Sequence, residues 1–297
     1  MSIHVNDDAM DAARPEPAEQ PPSLMPILPS IACVIADQYG LGAVQPLLQF
    51  QLTGTSGLTE DEAMVWVGFI MTAQYVGVLI GCLVMGYACD KLGPIRTLQL
   101  NIVGDIAFFA ITGFVAAPGG LLAVRLFAGF FSPLVPAVAN IFAVTSMAQT
   151  VQAIGYHGLA VVTGFGVGTA SVGLIELMSF KAICLMCSGI AAVALTTTAP
   201  PPMCPFNQKP ASGVEIKPAP EGVKKALRSP TMITQASTAF AAFVYFQGSQ
   251  TLVALDLVQR FDFDPSDLSL VLVTAPFWLL LAIFIIPRLA QRFGLPL

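Results

Sequence analysis

Three charged side chains lie inside long apolar stretches of this sequence: Asp37, Asp105 and Arg125. A charge in such a place is costly, rare and functional by default. Asp37 lies about ten residues into a run that starts near residue 27, roughly 15 Å deep at 1.5 Å per helical residue. Asp105 lies past Arg96 by a comparable stretch, about 13.5 Å in. The two carboxyls reach similar depth from the same face. Desolvation disfavours their ionised forms, so each could trade a proton at neutral pH. If both helices line one cavity, the acids could share a proton and titrate together. The alternatives are a carboxylate permanently satisfied by an arginine or backbone groups at Asp37, and a polar partner such as Asn101 at Asp105. Arg125 needs an acid or backbone carbonyls if it is buried; snorkelling to the outer interface is its alternative.

Other polar groups in apolar runs carry weaker signals. Gln247 and Gln250 are three apart and share a helix face. With Tyr245, and with Gln45 in the first run, they could line a substrate cavity; interhelical hydrogen bonding explains them equally well. Cys184 and Cys187 have redox or zinc spacing, but they sit mid-run with no histidine near, as small packing residues do. His157 could titrate near neutrality, though an interfacial histidine is more often incidental. No phosphate-binding loop of the G-x-x-x-x-G-K-[ST] type occurs, which argues against a primary pump within this chain. No hydrolytic triad or zinc motif stands out. The expectation is a protein that is not an enzyme and takes no metal and no cofactor.

The elements that must position these residues are membrane helices. Hydrophobic residues make up 55% of the 297, charged residues 10%, and the mean hydropathy is +0.75. Soluble domains carry about 25% charged residues. The net charge of −5 carries little meaning, because Asp7, Asp8, Asp11, Glu16 and Glu19 crowd the N-terminal tail. The few basic residues sit in loops, which excludes a nucleic-acid surface. A span needs about 20 apolar residues, and eight such runs are present: about 27–50, 64–88, 96–117, 120–146, 154–176, 180–199, 232–257 and 268–287. Residues 1–26 are polar, acidic and proline-rich, a tail that cannot bury enough apolar surface to order itself. No basic segment leads into a short apolar stretch with a cleavage site, so no cleaved signal peptide is read. Residues 200–231 form a second polar, proline-rich stretch, with Lys209, Lys217, Lys224, Lys225 and Arg228. With the N-terminus inside, ten of the thirteen basic residues fall inside, a clear positive-inside bias.

Between the second and third runs lies Gly86-Tyr87-Ala88-Cys89-Asp90-Lys91-Leu92-Gly93-Pro94-Ile95-Arg96. It resembles the loop between helices 2 and 3 of the major facilitator superfamily, whose consensus is G-x-L-A-D-R-x-G-R-K. Gly86, Asp90, Lys91, Gly93 and Arg96 carry the match, the last one place displaced. The resemblance implies a cytoplasmic loop in which Asp90 meets helix 11 and steadies the outward-facing state, Gly86 allowing the close approach. Residues 36–48, with Asp37, Gly40, Gly42, Val44 and Pro46, resemble the D-x-x-G-x-G-x-V-x-P-L-L-P opening of twelve-helix drug:proton antiporters and vesicular amine transporters. Arg125 and Gly129 fit the l-x-x-R-x-x-q-G pattern of helix 4, with Ala128 for the usual Gln. That pattern implies a role for Arg125 in proton transfer, with Asp105 the nearest acid. Gly164, Gly168 and Gly173 fit the antiporter signature G-x-x-x-G-P-x-x-G-G, Thr169 replacing the proline and Val172 one glycine. Glycines so spaced can serve helix packing alone.

The resemblance implies an all-α multi-pass membrane protein of the major facilitator fold. Residues 27–199 would form the six-helix half, 200–231 the cytoplasmic linker and 232–297 the start of the second half. Residues 287–294 resemble a weak second copy of the loop, so helices 9–12 of the family would lie beyond Leu297. On that reading the 297 residues alone should not transport, and should be poorly stable. The expected function is secondary transport of a small solute by alternating access around a midplane site, coupled to protons in the direction of export. A facilitator or symporter for an organic anion or sugar, and a non-transporting remnant or scaffold, are the alternatives. The partners are then a solute, protons and the bilayer of a plasma or organelle membrane, with no nucleic acid and no obligate protein partner.

Overall fold

The computed structural model describes residues 25–199, Leu177 excepted, and isolated positions between 230 and 285. The tail, the linker at 200–229 and most of the seventh and eighth runs lie outside the described residues. So do Tyr245, Gln247, Gln250 and residues 287–294. Among the described residues the regular structure is helical throughout.

Helix α1, Leu28–Val44, opens with proline in its first turn, where the missing N–H costs nothing. The first run does not stay one rod. Pro46 cannot donate to the ladder and clashes with the preceding turn. The chain passes through a short turn, in which Leu47 N–H donates to the Val44 carbonyl at 3.2 Å, and continues as α2, Leu48–Ser56, bent by 49°. The span therefore reaches six residues beyond the apolar run at 27–50. Gly57, at φ +65°, ends α2.

Helix α3, Glu60–Leu92, is 33 residues long, about 50 Å at 1.5 Å per residue. Its start is fixed by a reciprocal cap: Glu62 N–H donates to Thr59 Oγ1 at 3.4 Å and Thr59 N–H donates to Glu62 Oε2 at 3.0 Å. Glu60, Asp61 and Glu62 also face the positive end of the helix dipole. That polar first turn is why the helix begins before the apolar run at 64–88. Gly93, at φ +87°, closes α3, and Pro94 opens α4, Pro94–Thr112. The run at 120–146 is likewise two helices, α5 (Pro118–Phe130) and α6 (Leu134–Val144), parted at Phe131-Ser132-Pro133. The residue before a proline is driven out of the helical region. Helix α7 covers Met147–Ala170 and tightens into a 3₁₀ turn at Ser171–Glu176; α8 covers Phe180–Thr197, capped by Ser179.

Among the described residues four segments are long and apolar enough to cross a membrane: α3, α4, α5 with α6, and α8; the bent pair α1 and α2 makes a fifth. Helix α7 is not among them, although it packs more extensively on α1 than any other helix does. The other main pairings are α3 on α5 and α4 on α8. Small residues set these distances, as lipid-embedded helices require. A Cβ on Gly168 would meet the Tyr39 carbonyl, and one on Gly77 the Leu126 carbonyl.

The exterior is apolar. Val65, Phe69, Val76, Leu79, Ile80, Leu83 and Val84 of α3 are all exposed, the surface of a helix whose solvent is hydrocarbon. Inside, the two larger of three apolar clusters meet at Ile190. One includes Tyr39, Leu47, Ile70, Phe109 and Ile183; the other Cys33, Ala36, Leu98, Ile102 and Ala191. On α1 and on α4 the boundary between them falls at Asp37 and at Asp105.

Candidate functional site

A polar layer lies between these two apolar clusters on α1 and α4, and every charged group in it comes from a different helix. Asp37 on α1 is 4% exposed, Asp105 on α4 is 1% and Arg125 on α5 is 0%. Arg125 therefore does not snorkel to an interface. The Asp37 charge acts on both Asp105 and Arg125, and Arg125 acts on both acids. The structure thus gathers the three intramembrane charges into one electrostatic neighbourhood.

Hydrogen bonding within the layer is uneven. Asp37 Oδ2 accepts from Gln38 Nε2 at 2.8 Å, a neighbour in sequence that the spacing alone does not single out. Asn101 does not serve Asp105. Its Nδ2 donates to the Ser132 carbonyl at 2.8 Å, one of the backbone groups freed where α5 and α6 part. Among the described residues Asp105 Oδ2 has no hydrogen-bond partner, and neither do Nε, Nη1 and Nη2 of Arg125. The expected pairing of Arg125 with an acid or with carbonyls is absent. The guanidinium lies instead against an aromatic ring of α4. The guanidinium stands 5.9 Å from the centre of the Phe109 ring, within cation–π reach. Its charge reaches Tyr75 of α3 and the thiols of Cys184 and Cys187 on α8.

Tyr75, Phe109, Gln38 and Ser132 are the members of this layer that sequence reasoning passes over. Gln74 beside Tyr75, a polar residue mid-run, is the one signal that pointed to them. Cys184 and Cys187 are buried free thiols in the larger apolar cluster. Among the described residues no group of three metal-ligating side chains occurs. Gln45 is buried at the bend between α1 and α2.

The glycines divide in two. A Cβ on Gly129 would meet the Gln74 carbonyl, and one on Gly164 would meet the Ile35 carbonyl at 2.6 Å. Gly173 lies in the 3₁₀ turn after α7. Gly86 has no described atom within 4 Å of where its Cβ would stand, so no described helix makes the close approach expected there. The expected loop is helical apart from Gly93: Asp90 and Lys91 lie in the last turn of α3 and Arg96 in the first turn of α4, all exposed. Lys91 Nζ sits 5.7 Å from the centre of the Tyr87 ring.

The family model described as Major Facilitator Superfamily matches residues 27–296. The chain belongs to this superfamily, and it is an all-α, multi-pass integral membrane protein. Among solved structures, the in meso crystal structure of the POT family transporter PepTSo is similar, with a TM-score of 0.51 at 15% identity. The likeness covers 86% of this chain and 53% of that one. At that identity it is a likeness of fold, and the chain spans about half the length of the transporter it resembles. No curated protein matches the chain.

Proposed function

We propose that this chain is a secondary transporter that exchanges a small solute for protons in the direction of export. The observation that carries the reading is the polar layer: two carboxyls and a guanidinium, from three helices, buried together inside the helical bundle. Desolvated acids that act on each other hold and release protons as a set. Asp37 is the main proton carrier, Asp105 its coupled partner, and Arg125 adjusts the balance between them. The loop Gly86 to Arg96 faces the cytoplasm and limits the conformational change. The antiporter-like first span supports the export direction, and membership of the superfamily supports alternating access.

Two measurements test this. In weakly buffered detergent solution, a transported solute should shift the pH with the wild-type chain and not with Asp37→Asn. In liposomes, an imposed pH gradient should drive that solute uphill with a completed transporter that carries Asp37, and not with its Asp37→Asn variant. Uphill transport by the Asn variant at the wild-type rate would refute the assignment. Topology is tested separately. Cysteines placed one at a time at 92 and 215 in a cysteine-free background should react with an impermeant maleimide only from the cytoplasmic side; labelling of either from outside overturns the orientation.

A further inference from the structure

Several deeply buried polar atoms of the bundle lack a hydrogen-bond partner among the described residues. Arg125 contributes three donor nitrogens, and Asp105 Oδ2, Asn101 Oδ1 and Gln74 Oε1 contribute acceptors. Folded proteins pair roughly nine in ten such groups. Here the exceptions come from α3, α4 and α5, and donors and acceptors are segregated. The donors gather at the guanidinium, the acceptors on α3 and α4.

We propose that this layer binds a small zwitterion, an α-amino acid or close analogue, its carboxylate on Arg125 and its ammonium on Asp105 and Asp37. The inference rests on the transporter reading and names its substrate class. Charge decides among the candidates. With one proton shared between the two acids and Arg125 charged, the site is neutral, and a zwitterion leaves it so. A simple amine would satisfy the acids but leave Arg125 unpaired and bring a second cation near it. A simple carboxylate would satisfy Arg125 but place a third acid beside Asp37 and Asp105. The planar guanidinium, with all three nitrogens uncommitted, matches a carboxylate in a two-point contact. The buried ring of Phe109 beside the guanidinium, and Tyr75 within reach of its charge, suit an apolar or aromatic side chain on the ligand.

The test uses three molecules that differ only in charge: L-phenylalanine, phenethylamine and 3-phenylpropionate. Binding to the full chain in mild detergent is measured by calorimetry. L-Phenylalanine should bind at least about ten-fold more tightly than either single-charge analogue. Arg125→Gln should remove that advantage over the amine without weakening the amine itself, and Arg125→Lys should restore part of it. If the Gln variant does not fold, the wild-type ranking decides alone. Equal or tighter binding of either analogue overturns the proposal. So does binding of none of the three at about 10 mM, which would make the layer a hydrated one. The outcomes separate cleanly from the transporter reading. An amine preference with intact Asp37-dependent proton exchange removes only the zwitterion, whereas wild-type flux by Asp37→Asn removes the coupling and leaves the ranking untouched.

Discussion

Along the seam of α3 and α5, Gly77, Gly81 and Gly129 bring backbone onto backbone. In the polar layer behind it, the guanidinium of Arg125 and Oδ2 of Asp105 have no hydrogen-bond partner. Both regions are fully buried, and both depend on α5. The seam is closed by small residues packed to contact. The polar layer is closed by the same helices yet leaves its strongest hydrogen-bonding groups uncommitted. The difference separates what holds the bundle from what it holds open for use. In lipid, helix association rests on close packing, because there is no hydrophobic drive between helices. Stability therefore concentrates in the seams. The buried charges oppose folding, since each is taken from water without a full partner, and they persist where function needs them.

This contrast can be broken at its strong side first. Gly77→Leu would drive a side chain into the Leu126 carbonyl. Overpacking costs about 1–3 kcal/mol where atoms can yield, and more against backbone. The expected result is loss of the monodisperse peak in size-exclusion chromatography, or a melting temperature far below the wild type's. A Leu variant that melts normally would mean that the α3/α5 seam is looser than described.

A smaller effect should come from Asn101→Ala. It removes the bond to the Ser132 carbonyl and leaves a freed carbonyl of the α5/α6 break unserved. A net loss of about 1 kcal/mol is expected, read as a modest drop in thermal stability. An unchanged melting curve would show that the break is held by packing alone.

The smallest stability effect, and the sharpest test of the comparison, is Arg125→Gln. Removing a buried charge that has no hydrogen-bond partner should leave melting unchanged or raise it, because the charge costs more than its contacts return. Binding and proton exchange should fall at the same time. A strong drop in melting temperature would place Arg125 among the structural groups and erase the distinction between seam and layer.

Part of this was legible without a structure, and the residues show which part. The loop from Gly86 to Arg96 names the superfamily, and the family model across 27–296 agrees. The apolar runs locate the helices, because hydrocarbon solvent imposes its demand residue by residue. Boundaries were less legible. Pro46 and Pro133 lie inside apolar runs whose hydropathy passes over them, yet each breaks its helix. The polar first turn of α3, with its Thr59–Glu62 cap, lengthened a helix that hydropathy starts later.

The sequence alone determined that this is a multi-pass helical membrane protein and that Asp37, Asp105 and Arg125 stand within its apolar runs. Those properties are local: hydrophobicity, length and helical rise belong to each segment by itself. Only the tertiary structure decided that Asn101 serves the Ser132 carbonyl and leaves Asp105 alone, and that Arg125 stands by Phe109 with no acid bonded to it. Those outcomes depend on the rotation of each helix about its own axis. That rotation is set by where glycines on α1, α3, α5 and α7 let backbones meet, a matching between distant segments that no single run encodes.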